Sequence, residues 1–210
     1  MAKMPDLRSS LRSRLAPGFD RCRAVVAAAC LVGGCQVANP QWESKPIEAS
    51  QSVIRFDHAD FDPKLAEYVV QRDPRSANTF YAAHFAGADA FALLAALKTG
   101  PSHVVEERTT ERYVANLLQD AKPDWGEQGE AAARGGPVAY RMFRLPGQSA
   151  SCVGFRQLVG HSSDDRNRRK DVVFGYFCQS QGRPRSAATA EDLIASVSLT
   201  RPRVNAGAPF

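Results

Sequence analysis

Between residues 56 and 62 the chain reads FDHADFD and sets three carboxylates, Asp57, Asp60 and Asp62, around the imidazole of His58. Clustered carboxylate oxygens are what a hard cation collects. The stretch lacks the turn glycine and the distal bidentate glutamate of a calcium loop, and Asp62 directly precedes Pro63, which reads as a helix cap and first helical position. A solvated loop is the favoured reading, and no metal or other cofactor is expected. A second cluster, DDRNRRKD at 164–171, gathers Arg166, Arg168, Arg169 and Lys170 between acids at both ends. Guanidinium forks suit bidentate contact with phosphate or carboxylate. These four cations are therefore the candidate anion contact, against the plainer reading of a solvated turn. His84, His103 and His161 remain for acid–base work, and Trp42 and Trp125, in polar segments, are a weak sign of sugar contact. The chain carries no G-x-S-x-G, no phosphate-binding glycine loop and no H-E-x-x-H, so no catalytic residue is assigned.

The elements that must position these groups are most legible in the last third. PVAYRMFRL (137–145), CVGFRQLV (152–159) and DVVFGYFC (171–178) are strand-like runs separated by polar turns, which predicts an antiparallel meander. Pairing Cys152 with Cys178 centres the second turn on Asp165, within the polar loop. The same register sets Gly154 opposite Tyr176 and Gly175 opposite Phe155, each glycine facing a ring able to cover it. Thr189 and Asp192 form a capping pattern ahead of Ala190, Leu193, Ile194 and Val197, which predicts a final helix packed on the sheet.

Upstream, Asp62-Pro63 followed by Leu65, Tyr68 and Val69 predicts a short helix over 63–71. The run 88–98, ADAFALLAALK, stopped by Gly100-Pro101, predicts a second. TTERYVANLLQDA predicts a third, with Tyr113, Leu117 and Leu118 on its apolar side. HVVEER reads as a strand, TFYAAHF as strand or helix, and 122–136 as a polar, glycine-rich loop. The expected fold is α+β: a small antiparallel sheet of three or more strands, with a C-terminal meander and one cross-strand disulfide, packed with several helices.

The N-terminus has a different character. Lys3, Arg8, Arg12, Arg14, Arg21 and Arg23 stand against only Asp6 and Asp20, and no further charge appears until Glu43. The apolar run 24–32 is nine residues, long enough for a secretory signal and far short of the ~20 that span a bilayer. It leads into Leu31-Val32-Gly33-Gly34-Cys35. This stretch resembles the lipobox of bacterial lipoprotein precursors, in which a branched apolar residue stands three before a cysteine and small residues fill the gap. The resemblance covers this N-terminal segment alone. It implies cleavage before Cys35, diacylglycerol on its sulfur and N-acylation of the new terminus. Gln36 stands where an aspartate retains enteric-type lipoproteins in the inner membrane, which implies the outer membrane.

The expected organisation is a signal peptide over 1–34, a Pro-, Gln- and Ser-rich tether over 35–52, one α+β domain over 53–200 and a tail over 201–210. Of the 27 Lys and Arg and the 22 Asp and Glu, six and two precede Cys35, leaving 21 cations against 20 anions. A near-neutral domain has no general basic face, so nucleic acid is not an expected partner. Cys22 and Cys30 depart with the signal and Cys35 takes the lipid. Cys152 and Cys178 remain as an even pair, and without C-x-x-C or patterned histidines they read as a structural disulfide rather than a redox or zinc site. The leading functional expectation is a lipid-anchored envelope protein facing the periplasm, binding or scaffolding an envelope protein or peptidoglycan. Two alternatives stand beside it: a periplasmic hydrolase built on His and carboxylate groups, and a soluble secreted periplasmic protein.

Overall fold

The computed structural model describes residues 42–100, 105–118, 121–146, 150–160, 171–179 and 187–200. Ten strands run in chain order: β1 (Glu43–Ile47), β2 (Ile54–Phe56), β3 (Glu67–Arg72), β4 (Thr79–Ala86), β5 (Ala90–Lys98), β6 (Asp124–Ala133), β7 (Gly136–Arg144), β8 (Ser151–Val159), β9 (Asp171–Gln179) and β10 (Val197–Leu199). Helix α1 (Thr110–Leu118) follows β5, and α2 (Ala187–Ala195) follows β9. Eight strands form one antiparallel sheet in the order β1-β3-β4-β5-β9-β8-β7-β6, and β2 pairs with β10 in a separate ribbon.

Both faces of the sheet are covered. The ribbon and α2 lie on one face, where Phe56 meets Phe85 at 5.1 Å and Phe177 at 5.2 Å, and Phe177 stacks on Phe155 at 5.3 Å. Helix α1 lies on the other, its Tyr113 ring 4.8 Å from Phe174 and its Val114 and Leu117 buried. Burying each of these phenylalanines contributes roughly 1.5–3 kcal/mol.

This two-sided burial overturns the helix expected over 88–98, which is strand β5. Ala92, Leu94 and Ala96 face the ribbon side while Leu93 and Ala95 face α1. A strand buried on both faces reads as an unbroken apolar run, and such a run has no period to separate it from a helix. The helix expected over 63–71 is also corrected. Asp62 does cap, accepting the Lys64 N–H at 2.9 Å, but the turn ends after the 3-10 segment Pro63–Leu65. Tyr68, Val69 and Val70 then enter β3, where β-branched and aromatic side chains pack well on a pleated surface. Two α-helices, not several, accompany the sheet among the described residues.

The loop expected over 122–136 is largely edge strand β6, bulged between Trp125 and Gln128. Its glycines suggested a loop, yet Gly129 lies beneath the Tyr140 ring, where a Cβ would stand 2.5 Å from the phenol oxygen. Residues 105–108 of the expected HVVEER strand carry no regular structure, and its first two residues lie outside the described set. The tether expected over 35–52 is shortened, because β1 pairs with β3 and Ser52 is fully buried. Helix α2 begins at Ala187, so Thr189 lies inside it and does not cap it, while Ala190, Leu193 and Ile194 are buried as expected.

The C-terminal meander has the expected register: Cys152 opposite Cys178, Gly154 opposite Tyr176, Phe155 opposite Gly175. Cys152 and Cys178 are disulfide-bonded and fully buried. The turn centred on Asp165 lies outside the described residues. The glycines do more than face those rings. A Cβ on Gly154 would stand 2.8 Å from Val114 Cγ2 of α1, and one on Gly175 would stand 2.4 Å from the Leu93 carbonyl oxygen of β5. They also admit a helix and a neighbouring backbone.

Two stability measurements follow. Replacing Cys152 and Cys178 together with alanine should cost about 3 to 4 kcal/mol by the loop-entropy argument, read as a lower denaturation midpoint. An unchanged midpoint would show that the bridge contributes nothing. Gly154→Ala should cost roughly 1 to 3 kcal/mol through overpacking against Val114, and Val114→Ala in the same chain should recover part of that loss.

Candidate functional site

The first turn of α1 meets the sheet over β6, β7 and β8. Thr109 caps the helix, its hydroxyl accepting the Arg112 N–H at 3.4 Å while its carbonyl accepts the Tyr113 N–H at 3.3 Å. Thr110 donates its hydroxyl to the Ala139 carbonyl at 3.4 Å, which fastens the turn to β7. On the same face, register places Glu130, Ala139 and Arg156 in one cross-strand row and Gln128 beside Arg141 in the next. Ala139 is the short side chain in the first row, and a cavity of about 400 Å³ opens there, lined by Thr109, Thr110, Glu111, Gln128, Glu130, Arg141 and Arg156.

The two arginines of this cleft differ in their commitments. Arg141 forms an ion pair with Glu111, donates Nε–H to the Gly126 carbonyl at 3.1 Å and holds its guanidinium 5.9 Å from the Trp125 ring centroid. Burial by itself would raise the Glu111 carboxyl, but hydrogen bonds from Arg141, Thr109 and its own N–H, with the Arg141 charge, hold it below its ordinary range. Glu111 is thus an internal anion seated on the helix start, where the peptide dipoles favour negative charge. Arg156 is far less engaged. Its Nη1 stands 3.6 Å from Oε1 of Glu107, a side chain 74% exposed, and its Nε is buried without a hydrogen-bond partner among the described residues. A buried donor left unpaired costs about 1–3 kcal/mol, and that cost is recovered when an acceptor arrives.

Of the residues singled out from sequence, only Trp125, whose ring lies beside Arg141, borders this cleft among those described. Cys35 and the cations Arg166, Arg168, Arg169 and Lys170 lie outside the described residues, as do His103 and His161. The FDHADFD cluster is spent on structure. The Nδ1 of His58 accepts the Asp60 N–H at 3.2 Å, which leaves the ring proton on Nε2, 3.3 Å from Oδ2 of Asp192 on α2. His58 stacks on Phe56 and ties the loop after β2 to the helix. Among the described residues no group of three or more potential ligands could hold a metal ion. Trp42 packs at the margin of the α1-side core, and Trp125 lies 4.9 Å from Phe143.

His84 faces the α1 side of β4, opposite Glu67 of β3 and Leu93 of β5. Burial lowers its imidazole below the ordinary value of 6.5, and the Glu67 charge opposes this only in part.

Arg141, Arg156 and Glu130 were not singled out from sequence, though the arginines left a signal. Each interrupts a strand-like run, AYRMFR and GFRQLV, at a position that alternation places on the same side as Phe143 or Cys152. A charge directed to the covered face of a strand must have something to meet.

No protein-family profile, curated protein or solved structure matches this chain.

His84 yields a pH test. Its folded value lies below its unfolded one, so the unfolded chain takes up the proton first as pH falls below about 6.5, and stability declines with acidification. His84→Gln removes that component, so its melting temperature should fall less than the parent's between pH 7 and pH 5. Equal falls would show that His84 contributes nothing to acid sensitivity.

Proposed function

We propose that this chain is a lipid-anchored protein of the bacterial cell envelope, held in the outer membrane through Cys35, whose α+β domain faces the periplasm and acts by binding. The observation that carries the reading is the Cys152–Cys178 disulfide, fully buried between neighbouring strands β8 and β9 in the middle of the sheet. Such a bridge persists where the compartment is oxidising, and an exported chain is delivered to one. The basic and apolar N-terminal pattern ending at Cys35 supplies the route. More than one acyl chain gives stable anchoring, since each buried methylene contributes only ~0.8 kcal/mol.

The fold adds a constraint on how such an anchor works. With β1 paired into the sheet, seven residue steps separate Cys35 from Trp42, a stretch that reaches at most about 25 Å when fully extended. The domain is therefore carried close to the lipid surface with its β1 edge nearest. A partner, whether an envelope protein or peptidoglycan, is met within that shell.

The parent chain should fractionate with membranes and give an intact mass carrying diacylglycerol on an N-terminal Cys35. Cys35→Ser should be released in soluble form. An unmodified Cys35, or a mature terminus elsewhere with the protein free in the periplasm, would replace the anchored reading with that of a soluble secreted protein.

A further inference from the structure

We infer that the cleft between α1 and strands β6 to β8 binds a small zwitterion of dipeptide size, with its carboxylate on Arg156 and its ammonium on Glu130. The inference rests on reading the domain as a binding module and names what it binds.

The row Glu130, Ala139, Arg156 carries opposite charges on either side of a methyl group. Two strand spacings put the outer pair roughly 10 Å apart at the backbone, and the cavity of about 400 Å³ lies over the gap. Ligand sites run from about 300 Å³ upward, so this one suits a small molecule. Arg156 lines the cavity and has donor capacity to give: its Nη1 stands 3.6 Å from a mostly exposed Glu107, and its buried Nε has no partner among the described residues. A carboxylate accepts from such a fork through both oxygens. Glu130 forms no ion pair with the cations of the described residues and stands exposed at the cleft's other margin.

The surrounding charge selects against plain anions. Glu107, Glu111 and Glu130 all border the site, and Arg141 is already committed to Glu111. A phosphate dianion would meet one available guanidinium and several carboxylates. A zwitterion places its negative end on the arginine and turns its positive end to the acid. The termini of a dipeptide lie roughly 7 Å apart when extended, which fits between two side chains rooted about 10 Å apart.

The test uses the full-length chain, purified from whichever fraction holds it, and calorimetric or ligand-detected NMR titration with alanylalanine. Its N-acetylated form, its C-terminal amide and inorganic phosphate serve as comparison ligands. Binding by the free dipeptide, with each blocked form weaker by about tenfold or more, is the expected result. Arg156→Gln and Glu130→Gln should each lose about tenfold, whereas Glu107→Gln, which removes the competing carboxylate, should tighten binding. Should Arg156→Gln fail to fold, Arg156→Lys keeps the charge without the fork and should lose affinity in the same direction. Absence of dipeptide binding at millimolar concentration, equal binding of the blocked forms, or preference for phosphate would each overturn the inference. None of these outcomes bears on where Cys35 places the protein, so membrane fractionation tests the anchored reading separately.

Discussion

Everything in this sheet depends on β9 being paired along both edges. β9 accepts β5 on one side and β8 on the other, and its seven inner residues are all buried. Because side chains alternate with a period of two, a slip of one residue against either neighbour would turn the apolar set of β9 to the wrong layer. The two registers therefore fix each other. Cys152–Cys178 locks one of them covalently, and Gly175 lets the β5 backbone come close enough to make the other. The N-terminal strands β1, β3, β4 and β5 and the C-terminal meander β6 to β9 join into one sheet at this strand.

The cleft is a by-product of how α1 is seated. Gly154 allows the helix to sit low over β8, and Thr110 fastens its first turn to β7. Beyond that turn the sheet extends to β6 with no helix of the described residues above it on that side, and the short Ala139 leaves the floor low. Two arginines and three acids gather around the resulting hollow. Arg141 and Glu111 balance each other, which leaves Arg156, Glu107 and Glu130 as the remaining charges around the hollow. Among the described residues, Arg156 is the member of the hollow whose Nε finds no acceptor.

What the sequence made legible was decided by how many independent features bore on the same element. The meander of β7, β8 and β9 was legible as strands, and its β8–β9 hairpin could be read down to its pairing, because two cysteines, two glycines and a polar turn all constrained the same register. The apolar stripe of α1 was legible for a similar reason, since Tyr113 and Leu117 recur at helical spacing against a polar opposite face. β5 was not, because its alanines and leucines are buried on both sides and the Gly100-Pro101 stop suits a helix as well as a strand. β1 and β6 were missed because edge strands carry the polar and glycine-rich composition of loops. The candidate site was illegible as a whole. Its row is assembled from three strands and a helix start, and only the misplaced-looking charges of Arg141 and Arg156 hinted at it.

The ribbon of β2 and β10 has a consequence in time. Thr200 donates its N–H to the carbonyl of Val53 at 2.8 Å, a contact that spans 147 positions, and β5 likewise waits for β9 across the helix and three strands. Loop closure of that length must be completed before the contacts it brings can stabilise anything, so folding of such a topology is slow. A nascent chain that has not yet produced residues 171–200 lacks the strand that unites its sheet and the helix and strand that cover one face of it. It has no complete core on which to collapse early. The order of elements thus delays folding until the chain is nearly whole, so that most of it is made before any of it can settle into its final packing.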